Sequence, residues 1–128
     1  LIDFEYSGVS HSLYDVGNLF CELHYDYGHA EAPFFWVTPG DFVGFKRGFL
    51  AAYARARGLT HSVDDLMDRA AVFSMVSHFQ WAMWSMSMAH SNMADVFGYV
   101  EYGAARLEAY KEVKGALLER GIVKNAES

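Results

Sequence analysis

One long segment of the sequence, residues 62–92, contains neither glycine nor proline. Because these two residues weaken or end helices, their absence permits a helix much longer than the average. Apolar side chains recur through this segment at helical spacing: Leu66, Met67, Ala70, Phe73, Phe79 and Trp84. Ser62 and Asp65 form a capping-box pattern at its start, with Asp in place of the usual Glu. The sequence therefore predicts one helix from Ser62 to about Ala89.

Three further helices are predicted, at residues 15–27, 41–58 and 100–121. Asp41 is the expected N-cap of the second, and glycines end the second and third. The first helix carries a polar face that could line a site, formed by Asp15, Asn18 and Glu22. Loops are expected at residues 7–12, 28–40 and 91–95. The expected fold is mainly helical and forms a single unit over residues 1–128.

The chain opens with LIDFEY, residues 1–6, which is typical of a short strand. Successive side chains of a strand point to opposite faces, so Asp3 and Glu5 share one face. Two carboxylates on one edge suit Mg²⁺, which takes its remaining ligands from water and phosphate. The alternative is an edge strand with two solvated acids. Because such a strand needs partner strands that this sequence does not contain, we expect the chain to be the C-terminal part of a larger protein.

Composition narrows the classes of function. The formal net charge of −6 disfavours nucleic acid as a partner, since phosphate binding relies on clustered Lys and Arg. No apolar run approaches the ~20 residues of a membrane span. Cys21 is the only cysteine, which excludes an internal disulfide and favours a reducing compartment, most simply the cytoplasm. The six histidines show no zinc-ligand spacing, and Cys21 has no neighbouring base to activate it as a nucleophile.

Aromatic residues form the strongest further signal. Trp81 and Trp84 lie three residues apart on the long helix, so their rings are neighbours, and three more aromatics, Phe97, Tyr99 and Tyr102, follow within one connection. Aromatic faces bind a quaternary ammonium ion, which has no N–H to donate, with help from a nearby carboxylate. Glu22 could supply that carboxylate, and Tyr27 a further ring. The alternative is that these aromatics are simply core residues.

Several motifs together resemble the choline/ethanolamine kinases, in the same order and at similar spacing. They are LIDFEY (1–6), DVGN (15–18), FCE (20–22), YDY (25–27), SHFQWAMW (77–84) and FGYVEY (97–102). The resemblance extends from residue 1 to about 112, although residues 31–69 match only in general character. It implies the C-terminal part of the large lobe of a protein-kinase-like α+β fold.

The resemblance also implies roles for individual residues. Asp3 takes the place of the kinase metal aspartate and Glu5 serves a second Mg²⁺, both bridging the phosphates of ATP. Eight residues match positions around the choline head group: Tyr6, Glu22, Tyr27, Trp81, Trp84, Phe97, Tyr99 and Tyr102. The implied reaction is ATP-dependent phosphorylation of choline in the cytoplasm, as a step of phosphatidylcholine synthesis, and a homodimer is one possible assembly.

Two departures from the family pattern bear on this expectation. The catalytic-loop aspartate and the phosphate-binding elements of such kinases are expected upstream of Leu1, so no catalytic base is assigned in this chain. Choline-preferring members usually have Trp after the Cys-Glu pair, where this chain has Leu23. Three alternatives therefore remain open: an ethanolamine kinase, a non-catalytic module that binds quaternary ammonium ions, and a helical scaffold.

Overall fold

The computed structural model describes residues 7–90 and 97–125, and it is mainly helical, as predicted. Its elements are, in chain order, α1 (Ser12–Glu22), β1 (Tyr25–Asp26), β2 (Trp36–Val37), α2 (Val43–Arg57), α3 (Val63–Met88) and α4 (Tyr99–Glu119). The strand predicted for residues 1–6 and the linker predicted for residues 91–95 lie outside the described residues.

The long central helix is confirmed as α3, with bounds within a residue or so of those predicted. The Ser62 hydroxyl accepts a hydrogen bond from the Asp65 backbone N–H at 3.1 Å, which caps the helix as the sequence indicated. Gly58 and Gly121 adopt positive φ angles of 64° and 66° just past α2 and α4. These are the conformations in which glycine ends a helix without strain.

The first helix differs from its prediction, because α1 begins at Ser12 and ends at Glu22 rather than spanning residues 15–27. The chain then enters β1, which pairs antiparallel with β2, so that Tyr25 lies opposite Val37 and Asp26 opposite Trp36. The predicted loop over residues 28–40 therefore contains a strand. Pairing with a segment ten residues away overrides the local helical pattern, and local periodicity cannot reveal such pairing.

The start of α2 also corrects the prediction. Phe42, with a left-handed φ of 51°, is the N-cap residue rather than Asp41. The Asp41 carboxylate still accepts a hydrogen bond from the Val43 N–H at 3.0 Å, so it satisfies the first donor of the helix from one position further out.

Two clusters of buried side chains stabilise the fold, one near the start of α3 and the other near its end. The first core lies between α1, α2 and α3 and contains Leu13, Val16, Phe20, Leu50, Ala54, Leu66 and Ala70. The second core contains Tyr25, Phe35 and Tyr102, with Trp81, Trp84 and Phe97 packed against it. The second core joins the β1–β2 hairpin to α3 and α4, and it forms the base of the site described below.

Glycine permits a close approach of α1 to α3. A Cβ atom at Gly17 would lie 2.7 Å from the backbone nitrogen of Ser74, too close for any side chain. In the space gained, the Ser74 hydroxyl donates to the Gly17 carbonyl at 3.0 Å. This crossing sets the position of the polar face of α1 relative to the tryptophans of α3.

Candidate functional site

An aromatic pocket of about 480 Å³ opens between α1, the hairpin, α3 and the start of α4. We use this name for the cavity lined by Asn18, Glu22, Tyr27, Trp81, Trp84, Phe97, Tyr99 and Tyr102. Seven of these eight residues were predicted from the sequence to surround a cation, and the structure brings all seven together. Their role in binding a substrate stays a prediction.

The rings of the pocket meet mostly edge to face. The Trp81 and Trp84 centroids are 5.2 Å apart at an interplanar angle of 79°, and Trp84 meets Tyr99 at 5.7 Å and 69°. Phe97 continues the series, 5.2 Å from Tyr99 and 5.5 Å from Tyr102. Edge-to-face contacts turn successive rings toward different directions, so the series forms a curved wall rather than a flat stack. A curved wall of aromatic faces can surround a compact cation.

The aromatic residues can both belong to the core and line a cation site. Tyr99 and Tyr102 are 9% and 4% exposed and belong to the packed interior, whereas Tyr27 is 47% exposed at the mouth of the pocket. The same rings therefore stabilise the second core with one surface and line the pocket with another.

The Glu22 carboxylate is held by two donors. Its Oε2 accepts a hydrogen bond from the Tyr27 hydroxyl at 2.7 Å, and its Oε1 accepts a short hydrogen bond from Nη2 of Arg106. The side chain is 31% exposed, so the carboxylate reaches the pocket while these two hydrogen bonds fix its position. Although Glu22 lies on α1 and Tyr27 follows β1, the turn at the end of α1 brings the two side chains together.

Asn18 lines the pocket one helical turn before Glu22, on the polar face predicted for the first helix. Its Oδ1 accepts two hydrogen bonds, from the Ser77 hydroxyl at 2.7 Å and from the Trp81 indole N–H at 2.9 Å. The second bond fixes the orientation of the Trp81 ring in the pocket wall. Both lone pairs of this oxygen are thereby used.

Arg106 is a residue that the sequence analysis missed. It is 0% exposed and lies behind the pocket, where its guanidinium bonds to Glu22, Tyr27 and Tyr102. A signal was available, because Arg106 follows Tyr102 by four residues and therefore lies on the same face of α4. A charged residue on a face otherwise expected to be buried needs a partner of opposite charge.

Burial and Arg106 together set the protonation of the site. Burial raises the pKa of Tyr27, to which hydrogen bonds with Tyr102 and Glu22 add, and burial also raises the pKa of Tyr102. Burial and then the Arg106 charge lower the pKa of His78 to about 4. Burial alone would lower the pKa of Arg106, but Tyr102 and Glu22 raise it on balance. At neutral pH both tyrosines are therefore protonated, His78 is neutral and Arg106 is a cation.

The predicted metal ligands Asp3 and Glu5, and the predicted substrate contact Tyr6, lie outside the described residues. Among residues 7–90 and 97–125, no three His, Cys, Asp or Glu side chains are placed to hold a metal ion. Within the same two ranges, no helix is long and apolar enough to cross a membrane.

Two residues discussed from the sequence lie away from the aromatic pocket. Leu23 packs against the first core and is not among the residues that line the pocket. Cys21 is buried, and burial raises the pKa of its thiol, the opposite of what a nucleophile needs.

Comparison with known proteins agrees with this geometry. The choline/ethanolamine kinase family model matches residues 1–111. A choline/ethanolamine kinase of Homo sapiens is 34% identical over 91% of this chain and 32% of its own length. Choline kinase alpha of Mus musculus is 34% identical over 91% of this chain and 28% of its own length. The crystal structure of choline kinase from Cryptosporidium parvum superposes with a TM-score of 0.78 at 27% identity, covering 96% of this chain and 35% of that one.

The chain thus spans about a third of the length of the proteins it matches. The family match nevertheless includes every residue of the aromatic pocket, from Asn18 to Tyr102. On this match and this fold, the chain belongs to the choline/ethanolamine kinase family.

Proposed function

We propose that this chain is the C-terminal part of the catalytic domain of an ATP-dependent choline kinase and supplies its choline-binding pocket. The reaction transfers the γ-phosphoryl group of ATP to the choline hydroxyl, giving phosphocholine and ADP. The observation that carries the proposal is the aromatic pocket itself, in which rings from α3 and α4 face a fixed carboxylate on α1. Family membership supports the kinase chemistry.

The aromatic lining of the pocket supports choline over ethanolamine as the substrate. A primary ammonium carries N–H groups that must find acceptors when they leave water, whereas a trimethylammonium has none to satisfy. Part of the acceptor capacity of the pocket is already used, because Asn18 Oδ1 accepts two hydrogen bonds and each Glu22 oxygen accepts one. Each desolvated contact of a methylated cation with an aromatic face gives about 2 kcal/mol. The pocket therefore binds methyl groups more favourably than N–H donors.

The metal assignment is part of the same proposal. Asp3 and Glu5 supply hard carboxylate oxygens, which are the protein ligands that Mg²⁺ prefers. In such kinases Mg²⁺ neutralises the phosphates of ATP during transfer. The general base and the remaining phosphate-binding groups belong to the part of the domain that precedes residue 1.

The test compares choline and ethanolamine as substrates of the full-length protein in the presence of MgATP. We expect a kcat/KM for choline at least about tenfold higher, which corresponds to about 1.4 kcal/mol. Asp3→Asn should abolish turnover while leaving choline affinity, measured by calorimetry, unchanged. A preference for ethanolamine would refute the choline assignment, and full turnover in Asp3→Asn would refute the metal assignment.

A non-catalytic module that binds quaternary ammonium ions is the second candidate. It is supported by the combination of a fixed carboxylate and aromatic faces, which can bind a cation without any phosphate chemistry. Such a module would bind choline and show no MgATP-dependent phosphorylation of it in the full-length protein, so the same assay separates the two candidates.

A further inference from the structure

Arg106 lies behind the aromatic pocket and is the largest fully buried side chain among the described residues. It does not line the cavity, yet three of its hydrogen bonds end on residues that do. Nε donates to the Tyr102 hydroxyl at 2.8 Å, and Nη2 donates to the Tyr27 hydroxyl at 3.2 Å and to Glu22 Oε1. Nη1 approaches Nδ1 of His78 at 3.4 Å.

These contacts fix the direction of every hydroxyl proton in the network. The Tyr27 hydroxyl donates to the Glu22 carboxylate, which cannot donate in return. Its single proton is then used, so in the 3.1 Å contact between the two tyrosines Tyr102 must be the donor. Tyr102 in turn accepts from Arg106. The result is a closed ring of hydrogen bonds. Arg106 donates to Tyr102 and to Glu22, Tyr102 donates to Tyr27, and Tyr27 donates to Glu22.

This closed ring of hydrogen bonds has two consequences for a ligand. The Tyr102 hydroxyl proton is donated to Tyr27 and the Tyr27 proton to Glu22, so neither remains to donate to a ligand. The Glu22 carboxylate is bridged on both oxygens and held in one orientation beside the aromatic faces. Arg106 and Glu22 also cancel in formal charge, and neutral His78 adds none, so the rings and the fixed direction of the carboxylate attract the cation rather than a net negative charge.

We infer that Arg106 is the positioning residue of the choline site, which acts through Glu22, Tyr27 and Tyr102 without touching the substrate. The inference rests on the proposed function. A planar guanidinium can reach Tyr102 from Nε and Glu22 from Nη2 at once, whereas a lysine ammonium donates from one point and cannot. The guanidinium carbon also lies 4.0 Å from the centroid of the Tyr25 ring, which holds the plane of the fork in place.

The test is a double-mutant cycle in the full-length protein, using Arg106→Met, Glu22→Gln and the combination of the two. Choline Kd and the KM and kcat of choline are measured together with the melting temperature. Arg106→Met should raise the choline Kd roughly 10- to 100-fold, the range expected for losing hydrogen bonds to a charged group. In the Glu22→Gln background the same change should raise it less than about threefold, because the charged partner of the guanidinium is already lost.

Two further variants separate positioning from a merely structural role. Arg106→Lys keeps the charge and most of the volume, and it should lose nearly as much choline affinity as Arg106→Met. Arg120→Met is the matched control, since Arg120 also forms an ion pair, with Asp68, but caps the far end of α4. It should leave the choline Kd unchanged.

The outcomes are distinct. Normal choline affinity in folded Arg106→Lys, or equal effects of Arg106→Met in the wild-type and Glu22→Gln backgrounds, would overturn the inference while leaving the proposed function intact. If Arg106→Met fails to fold, the choline affinity of Arg106→Lys decides between the two results. Wild-type protein that neither binds nor phosphorylates choline would overturn the proposed function and the inference with it.

Discussion

The contact between α3 and α4 holds two walls of the aromatic pocket together, and it depends on Gly103. A Cβ atom at this position would lie 2.4 Å from Oγ of Ser85, about 1 Å inside ordinary contact. Ser85 is fully buried, and its hydroxyl donates to the Tyr99 carbonyl at 2.7 Å. Gly103→Ala must therefore either displace that hydroxyl or separate the helices.

The magnitude follows from these contacts. Displacing the hydroxyl leaves a buried polar group unpaired, which costs about 1–3 kcal/mol, and separating the helices costs a similar amount through overpacking. Replacing glycine by alanine inside a helix returns about 1 kcal/mol. We expect a net loss of up to about 2 kcal/mol in the free energy of unfolding. Choline KM should also rise, because α3 carries Trp84 and α4 carries Tyr99.

Gly115 provides the matched control in the same helix. No atom lies within 4 Å of the position its Cβ would occupy, so Gly115→Ala should stabilise the protein by about 0.5–1 kcal/mol. Combining Ser85→Ala with Gly103→Ala removes the colliding oxygen and should recover most of the loss, since the Ser85 Cβ lies at an ordinary 3.7 Å.

Urea denaturation of the full-length variants measures these differences through the transition midpoint at constant slope. If Gly103→Ala stabilises the protein as much as Gly115→Ala does, the contact between α3 and α4 has room for an additional methyl group. The reasoning from close packing would then be wrong.

Three further predictions concern the site. Trp84→Leu removes a ring face from the pocket and should raise the choline KM about 30-fold, equivalent to about 2 kcal/mol. Trp36→Leu is the control and should leave the choline KM unchanged, because the Trp36 ring lies on the hairpin and is 61% exposed. Trp81→Phe keeps a ring but loses the N–H bond to Asn18, so it should lower the free energy of unfolding by about 1 kcal/mol, measured by urea denaturation. A Trp81→Phe variant as stable as the wild-type protein would contradict the role of that bond. Burial and the Arg106 charge lower the pKa of His78 from 6.5 to about 4, so the unfolded chain binds a proton in that range and the folded chain does not. Stability should be complete above pH 6.5 and fall by up to about 3 kcal/mol toward pH 4, and His78→Gln should flatten this dependence unless other groups cause it.

Much of the local structure could be predicted because its causes lie within a few residues of sequence. The Ser62 cap, the absence of glycine and proline through α3, and the glycines after α2 and α4 each act on one turn of backbone. Helical periodicity likewise placed Trp81 beside Trp84 and predicted correctly that their rings are neighbours. The end of α1 was predicted wrongly because strand pairing with residues 36–37 ended the helix early, and no local pattern encodes that pairing.

The sequence by itself determined which residue types are available to a cation: aromatic rings at helical spacing, Glu22 on the polar face of α1, and two carboxylates at the start of the chain. Only the tertiary structure decided how they meet. The bond between Tyr27 and Tyr102 joins residues 75 positions apart, and that between Glu22 and Arg106 joins residues 84 apart. The physical reason is that a helical period specifies which side chains share a face, whereas the partner of that face depends on packing across the whole core. Arg106 shows the difference most clearly, since its spacing from Tyr102 was visible in the sequence but its closed ring of hydrogen bonds exists only in the fold.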